Sequence, residues 1–263
     1  MLLRLRIKGF KNLLDNDICF GPFTCIAGVN GVGKSNLFDA LEFLSMLARQ
    51  KSLLEAAAAI RGDSAPGSDY RQIFSHYGAD YGEEIVFIAD LLVPREATDE
   101  YGQKATASFT LLRYSLRLRN RGEHPSGPIE IVEEDLRALP SRDFSNSARF
   151  HMAAQWRSSV LQGRYKKIAL ISTEEGKVKL HQDQKTGGKA QPFMASDLPR
   201  TVLSRTIASE SPTGLCARKE MESWTFLQLE PNALRKPSPF TAPRTMGANG
   251  DNLPAVIARL GET

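Results

Sequence analysis

The sequence predicts an α/β fold in which a glycine-rich loop joins a strand to a helix, with antiparallel strands around them. Residues 23–27 are a short apolar stretch of strand type, and residues 28–35 then read G-V-N-G-V-G-K-S. Strand, glycine loop and helix in this order are the setting that the phosphate-binding P-loop, G-x-x-x-x-G-K-S, requires. Beyond the loop, apolar residues recur at helical spacing: Leu37, Phe38, Leu41, Phe43, Leu44 and Leu47.

The loop predicts the chemistry of a nucleotide site. Gly28, Gly31 and Gly33 allow the backbone to turn tightly and to bring its N–H groups close to phosphate oxygens. The helix that follows directs the positive end of its dipole at the same anion. Lys34 is expected to reach the β- and γ-phosphates, and the Ser35 hydroxyl to bind Mg²⁺. ATP or GTP is therefore expected here; the alternative, a glycine-rich turn before an ordinary helix, is disfavoured by both flanks.

Composition sets wide limits on the class of protein. The chain has 263 residues, 41% of them hydrophobic, which is ample for one large core or two smaller ones. A net charge of +4 and a pI near 9.0 permit contact with nucleic acid without demonstrating it. Cys19, Cys25 and Cys216 lack the spacing of a zinc site, and we expect them to be buried free thiols in a reducing compartment.

The first residues predict a strand. Residues 1–8 alternate apolar and basic side chains, as a half-buried strand does and a signal peptide does not. No run reaches the length that a membrane span needs, so we expect a cytoplasmic protein without membrane contact. The basic side chains of this strand are one candidate surface for nucleic acid, although most such runs are solvated faces. The two candidate clusters are Arg4, Arg6 and Lys8, and Arg157, Arg164, Lys166 and Lys167.

The rest of the chain alternates between strand and helix patterns. After a turn at residues 9–12, a second strand is expected at 17–20, and the helix after the loop can continue to residue 60. Turn residues and alternating polarity predict a hairpin at 168–180. Further strands are expected at 84–93, 106–112, 114–119 and 129–132, and further helices at 211–224 and 251–260.

A catalytic acid is harder to place. A P-loop ATPase usually has a second apolar strand that ends in Asp-Glu. Residues 85–90 are apolar and end in Asp90, but Leu91 follows where the glutamate is expected. An ordinary strand with an outward aspartate is the alternative for Asp90. The acidic cluster at 133–135 is expected to cap or begin a helix.

Two N-terminal segments carry a family resemblance. Residues 5–12 read L-R-I-K-G-F-K-N, and residues 21–36 read G-P-F-T-C-I-A-G-V-N-G-V-G-K-S-N. Together they resemble the start of ABC-type ATPase heads of the SMC/RecF class, and within it the bacterial AAA-family ATPases related to overcoming-lysogenization-defect (OLD) nucleases. An asparagine at the position of Asn30 is uncommon in other P-loop families. The resemblance narrows the cofactors to ATP and Mg²⁺ and the fold to a P-loop NTPase, the N-terminal part of such a head with an antiparallel β subdomain.

The resemblance also assigns roles to individual residues. Asn30 would form a hydrogen bond near the γ-phosphate or the attacking water, and Lys11 and Asn12 would lie beside the nucleotide. Gln72 is the nearest candidate for the glutamine of the loop that follows the first helix. The expected metal ligands are Ser35 and Gln72, with Asp90 the candidate catalytic acid. The expected nucleotide-binding set is Lys11, Asn12, Gly28, Asn30, Gly31, Val32, Gly33, Lys34, Ser35 and Asn36.

The family's remaining motifs are not found in this sequence. The Leu-Ser-x-Gly signature, the Asp-Glu strand and the switch histidine belong to a C-terminal half that we expect on a continuation of the chain or on another polypeptide. Two heads of this class enclose two ATP molecules, so a second head is the expected partner, with DNA as a further candidate. We divide the chain into a nucleotide-binding lobe at 1–120, an inserted irregular region with a hairpin at 121–199, and a return to an incomplete ATPase domain at 200–263.

The function that this predicts is ATP binding within an ABC-type ATPase of DNA maintenance or phage defence. As an enzyme it would be an ATPase (a hydrolase) that turns over poorly as an isolated 263-residue chain. Two alternatives use the same loop. One is a regulatory ATP-binding module without turnover, and the other is a small-molecule P-loop kinase.

Overall fold

The computed structural model describes most of the chain and divides it into two compact units, Met1–Ser223 and Trp224–Thr263. The first unit is mixed α/β, contains the glycine-rich loop and is built around one large antiparallel sheet. The three-part division expected from the sequence stays a prediction. The described residues are 1–60, 69–78, 80–150, 152–163, 168–183, 191–227, 230–239, 241–243, 246–247 and 249–261.

The large sheet has eight strands, and every neighbouring pair in it is antiparallel. The described strands are β1 (Leu2–Phe10), β2 (Leu13–Cys19), β3 (His76–Tyr77), β4 (Asp80–Tyr81), β5 (Glu84–Leu92), β6 (Glu96–Thr98), β7 (Lys104–Thr106), β8 (Leu111–Asn120), β9 (Ile129–Ala138), β10 (Ala169–Glu174), β11 (Lys177–Leu180) and β12 (Gln191–Met194). Their order across the sheet is β12-β11-β10-β9-β8-β5-β1-β2, while β3-β4 and β6-β7 are separate two-stranded pairs. The hairpin predicted at 168–180 is confirmed as β10 and β11, and the strand predicted at 114–119 lies within β8. The strand predicted at 106–112 was wrong: residue 106 ends β7, residues 107–110 form no strand, and only 111–112 belong to β8.

The described helices are α1 (Lys34–Ala48), α2 (Leu53–Ala59), α3 (Phe144–Ser147), α4 (Ala154–Val160), α5 (Pro212–Glu222), α6 (Pro231–Leu234) and α7 (Leu253–Leu260). Short 3₁₀ turns lie at Tyr70–Ile73, Ser141–Asp143, Ala195–Asp197 and Leu203–Arg205. The helices expected near the C-terminus are confirmed as α5 and α7. Among the described residues, no helix combines the length and the apolar character needed to cross a bilayer.

The prediction of a single helix to residue 60 was wrong, because the helix is interrupted between α1 and α2. Gln50 has a φ of 66°, a left-handed conformation that does not continue a helix. Ser52 then starts α2 with a capping box: its hydroxyl accepts from the Glu55 N–H at 3.1 Å, and the Glu55 carboxylate accepts from the Ser52 N–H at 2.8 Å.

The sheet has one apolar and one polar face because its strands alternate. In β1, Leu3, Leu5 and Ile7 are buried while the basic residues between them face the other way. Helix α1 packs on the apolar face, where the Phe43 ring lies 6.1 Å from that of Phe10 and 5.9 Å from that of Phe87. These contacts fix the helix that follows the glycine loop against β1 and β5, near one edge of the sheet.

The strand expected at residues 23–27 is not formed. These residues have no strand hydrogen bonding, and the Phe23 side chain is 89% exposed. A strand exists only when another strand pairs with it, and no described strand pairs with this segment. Cys25, expected to be buried in that strand, is exposed for the same reason; Cys19 is partly buried, Cys216 is buried, and all three are free thiols.

The second unit is small and mostly irregular. It contains α6 and α7, and Asn252 precedes α7 with a φ of 67°. The guanidinium of Arg259 in α7 donates to the carbonyl oxygens of Ala242 and Pro243, both at 2.9 Å. These bonds fasten the helix to the proline-rich segment before it.

Candidate functional site

The candidate site is the exposed glycine-rich loop at the start of α1. Gly33 is the N-cap of this helix with a φ of 100°, and no side chain caps the helix start. The first N–H groups of any helix lack an intrahelical partner. In α1 those of Lys34, Ser35 and Asn36 are therefore available to an anion, and the helix dipole favours one there.

Lys34 lies along the inside of the loop. Its Nζ donates to the carbonyl oxygens of Gly28 at 2.7 Å and of Val29 at 2.8 Å. The two carbonyls hold the ammonium group beside the backbone that would surround a phosphate. A phosphate oxygen offers this cation a charged acceptor, which forms a stronger hydrogen bond than a neutral carbonyl does.

A second element of the site is Asn12, in the turn between β1 and β2. Its amide Nδ2 donates to the Gly31 carbonyl at 3.3 Å, and its Oδ1 accepts from Asn36 Nδ2 at 2.7 Å. One side chain thus holds both the glycine loop and the first turn of α1. Asn12 therefore lies at the loop, and its place beside a bound nucleotide stays a prediction.

Two glycines of the loop are required for different reasons. Gly31 has a φ of 84° and open space where a Cβ would stand, so only its backbone conformation demands glycine. Gly33 has a φ of 100°, and an added Cβ would also lie 2.6 Å from Asn12 Oδ1. The turn that carries Asn12 therefore packs directly on the loop at Gly33.

Lys11 occupies a left-handed position in the same turn, with a φ of 49°. Its Nζ donates to Asp39 Oδ2 of α1 at 2.9 Å, and both side chains are mostly buried, at 13% and 7% exposure. The ion pair joins the turn to α1 one helical turn beyond Ser35. Contact between Lys11 and a phosphate stays a prediction.

Gln72 lies in the 3₁₀ turn next to this region. The Lys11 N–H donates to the Ile73 carbonyl at 2.9 Å, so the segment that carries Gln72 borders the turn between β1 and β2. Gln72 itself is exposed, and its role as a metal ligand stays a prediction. Among the described residues, no three His, Cys, Asp or Glu side chains come together to hold a metal ion.

Asp90 lies in β5 on the polar face of the sheet. Arg113 donates to both of its carboxylate oxygens, from Nε at 2.6 Å and from Nη2 at 2.9 Å. The Ser147 hydroxyl adds a bond of 2.7 Å to Oδ2. Leu5 and Ile7 of β1 share the face of Phe87, which contacts α1, and Asp90 faces the opposite way, beside Arg4 in the register. A catalytic role for Asp90 stays a prediction.

The acidic cluster at 133–135 was predicted to cap or begin a helix, and this prediction was wrong. The cluster lies within β9. Glu134 is fully buried there, and its carboxylate accepts from the N–H groups of Val202 at 2.7 Å and Leu203 at 2.8 Å. Tyr114 donates its hydroxyl at 3.2 Å. Burial raises the pKa of Glu134 to about 7, although the two N–H groups favour the charged form. The cluster became a strand because its central acid satisfies buried backbone groups.

The second basic cluster is only partly described. Arg157 donates to the Ser141 carbonyl at 2.9 Å and lies over the Phe144 ring at 5.7 Å. Arg164, Lys166 and Lys167 lie outside the described residues.

The residues of the loop fit the phosphate groups of a nucleoside triphosphate. Glycines in left-handed conformations, an uncapped helix start and Lys34 provide N–H and ammonium donors within one short exposed loop. In this set Ser35 would supply the hydroxyl for Mg²⁺. Sequence reasoning did not find the Asp39 contact of Lys11 or the Asn12–Asn36 bond. Asn36 follows the motif and Asp39 lies one helical turn on, but neither position signals a partner at residues 11–12.

Comparison with known proteins gives short N-terminal matches. The family described as "AAA domain" matches residues 4–72. The DNA replication and repair protein RecF of Parabacteroides distasonis is 41% identical over 46 residues, which is 17% of this chain and 13% of that protein. The OLD nuclease of Thermus scotoductus is 43% identical over 44 residues, 17% of this chain and 8% of that protein.

A solved structure of an SMC ATPase, from work on ATP-driven dimerization and DNA-stimulated activation, also aligns with this chain. The TM-score is 0.32 at 18% identity, over 56% of this chain and 76% of that one. The sequence matches confirm the resemblance of the N-terminal segment to ATPases of the SMC/RecF class. They span only about an eighth and a twelfth of the two relatives' own lengths.

Proposed function

We propose that this chain is the ATP-binding, N-terminal part of a cytoplasmic P-loop ATPase of the SMC/RecF class. The observation that carries the proposal is the glycine loop at the uncapped start of α1, with Lys34 along its inner side. The match of residues 4–72 to an AAA domain supports it. Roles in DNA maintenance or phage defence, contact with DNA and pairing with a second head follow from the resemblance and belong to the proposal.

The nucleotide-binding part is tested by removing the loop's cation. Lys34→Ala takes away the ammonium group that would bind the β- and γ-phosphates, and we expect the Kd for labelled ATP to rise at least about tenfold. Lys51→Ala is the matched control, because Lys51 is an exposed lysine outside the loop. Unchanged ATP affinity in the Lys34 variant would refute the assignment.

For hydrolysis we propose that the catalytic carboxylate comes from outside the described residues. The two acidic candidates within them are already engaged, Asp90 by Arg113 and Ser147, and Glu134 by backbone N–H groups. The same observation supports the second candidate function, a regulatory module that binds ATP without turnover. Steady hydrolysis by the isolated chain on the order of 1 s⁻¹, an ordinary enzymatic rate, would contradict both statements.

Pairing with a second head is tested by mass measurement. In the presence of ATP and Mg²⁺ we expect light scattering to show assembly with a second copy or with a polypeptide that carries the missing motifs. Lys34→Ala abolishes this assembly if nucleotide is what joins the heads. Assembly that is identical with and without ATP would argue against the enclosed-nucleotide arrangement.

A further inference from the structure

A polar cavity lies on the face of the sheet opposite α1. It has a volume of about 500 Å³ and is lined by four arginines that converge from β1, β8 and the segment after α3. We call it the arginine pocket; its arginines are Arg4, Arg6, Arg113 and Arg149. Residues 143–147 form its wall. Its size lies within the range of small-ligand sites.

Two of the arginines are held in place by carboxylate groups that lie behind them. Arg113 binds Asp90 through Nε and Nη2, and that carboxylate is only 2% exposed. Arg4 binds both oxygens of Asp17 and donates from Nη1 to the Asn146 carbonyl at 3.1 Å. A guanidinium has five N–H donors, so each arginine keeps N–H groups for another acceptor while its orientation is already fixed.

The other two arginines are less engaged. Arg6 Nε lies 3.4 Å from Asp17, whose oxygens Arg4 already binds. Arg149 is exposed and forms no hydrogen bond or ion pair in the part of the chain that the structure describes. Its charge still reaches the cluster: the hydrogen bond from Arg4, aided by the charges of Arg6 and Arg149, lowers the pKa of Asp17.

The charges around the pocket do not balance. Asp143 is its acidic lining residue, and Asp17 and Asp90 stand behind the guanidinium groups. These three carboxylates face four guanidinium groups, which leaves a positive excess at the pocket mouth. Planar guanidinium forks match the oxygens of a phosphate group better than any other side chain.

We propose that the arginine pocket binds a phosphate group, as a second anion site separate from the glycine loop. The phosphate could belong to a small phosphorylated molecule or to the backbone of a nucleic-acid strand, since both present the same oxygens. The proposal does not depend on ATP binding at the loop.

The test uses the full chain with Lys34→Ala in every sample, so that the loop's lysine does not bind the probe. Inorganic pyrophosphate is titrated by calorimetry, and a short fluorescein-labelled DNA strand is followed by anisotropy at fixed ionic strength. The pocket variant is Arg6→Ala/Arg149→Ala, which leaves both anchored arginines intact. The control is Lys51→Ala/Lys177→Ala, which removes the same charge from exposed positions outside the pocket.

We expect at least about tenfold weaker binding of one probe in the pocket variant, because charge-assisted hydrogen bonds are lost, and less than about threefold in the control. A loss confined to pyrophosphate identifies a small ligand, and a loss that extends to the DNA strand identifies the nucleic-acid backbone. Arg149→Ala alone, at an exposed position, repeats the test without affecting the sheet. Equal losses in pocket and control variants, or no binding of either probe by the parent, overturns the proposal.

Discussion

The amide of Asn36 donates a 2.7 Å hydrogen bond to the side-chain oxygen of Asn12, and this bond ties the turn between β1 and β2 to the first turn of α1. Asn12 in turn donates to the Gly31 carbonyl. The shape of the glycine loop is therefore set by a turn that lies more than fifteen residues earlier in the chain.

The first prediction concerns this pair. Asn12→Ala and Asn36→Ala should each weaken ATP binding by about three- to tenfold, because the loss of one hydrogen bond of about 1 kcal/mol releases the loop. The double variant should be little worse than Asn12→Ala alone, since that change already removes the contact with Asn36. Equilibrium binding of labelled ATP measures this, with Asn16→Ala as control. Fully additive losses would show that the two amides act separately.

The second prediction separates the two glycines. Gly33→Ala should cost more ATP affinity than Gly31→Ala, because both place alanine at positive φ, at about 1–3 kcal/mol of strain, but only Gly33 faces Asn12 at 2.6 Å. Adding Asn12→Ala to Gly33→Ala should recover part of the loss by relieving that contact. ATP titrations of the variants give the order, and the reverse order would contradict the observed packing.

The third prediction concerns the Lys11–Asp39 pair. Lys11→Met removes the ammonium group beside the buried Asp39 carboxylate, so we expect the free energy of unfolding to fall by about 1.5–3 kcal/mol, the loss of a charge-assisted hydrogen bond. Lys11→Met/Asp39→Leu should regain part of it, because the buried carboxylate is then absent. Urea unfolding provides the measurement, and Lys8→Met, at an exposed position in β1, is the control. No difference between the Lys11 and Lys8 variants would show that the ion pair is not stabilising.

The fourth prediction is a pH dependence from Glu134. Its pKa is raised from 4.5 to about 7 in the folded protein, so between these values the folded state holds a proton that the unfolded state has lost. The free energy of unfolding should therefore fall as the pH rises through this window, by about 3 kcal/mol at 1.36 kcal/mol per pKa unit.

Other groups titrate as well. Burial lowers the pKa of His181 below 6.5, so its contribution to stability rises with pH inside the same window and opposes that of Glu134. The hydrogen bond from Arg218 lowers the pKa of Glu100 to about 2, so its contribution is present above pH 4.5 and lost as the pH falls towards 2. Urea unfolding at several pH values between about 5 and 7, compared between the unmodified chain and Glu134→Gln, isolates the effect of Glu134. The fall in stability with pH should be lost in Glu134→Gln and retained in Glu133→Gln, at a partly exposed position. An unchanged fall in Glu134→Gln would assign it to another group.

The sequence predicted those features that depend on local pattern. The helix after the loop follows from apolar spacing and the glycine motif, and the hairpin of β10 and β11 from turn residues between alternating strands. Residues 23–27 show the limit of such reasoning, because an apolar stretch becomes a strand only when a partner strand lies beside it. The prediction for residues 133–135 was wrong for a related reason. The Glu134 carboxylate is stabilised in its strand by hydrogen bonds from backbone N–H groups that lie some seventy residues later in the chain.

The candidate site likewise contains some residues that the sequence could identify and others that it could not. Gly31, Gly33 and Lys34 could be identified because one short segment contains them all. Asn12–Asn36 and Lys11–Asp39 could not, because they depend on how the turn between β1 and β2 packs against α1. The arginine pocket depends on strand register, which places Arg4 beside Asp90 and Asp90 beside Arg113 on three different strands.

The order of strands in the large sheet also bears on how the protein is made. Except for the pairings of β5 with β1 and β8, each strand of that sheet pairs with the strand before or after it along the chain. During synthesis, β1 can pair with β2 once both have emerged, but β1 lacks its second neighbour until Glu84–Leu92 has emerged. Phe87 of that strand completes the aromatic contact that seats α1. The loop is thus synthesised well before the surface that positions its helix, and closure of this long intervening segment is the slow, non-local step expected in folding.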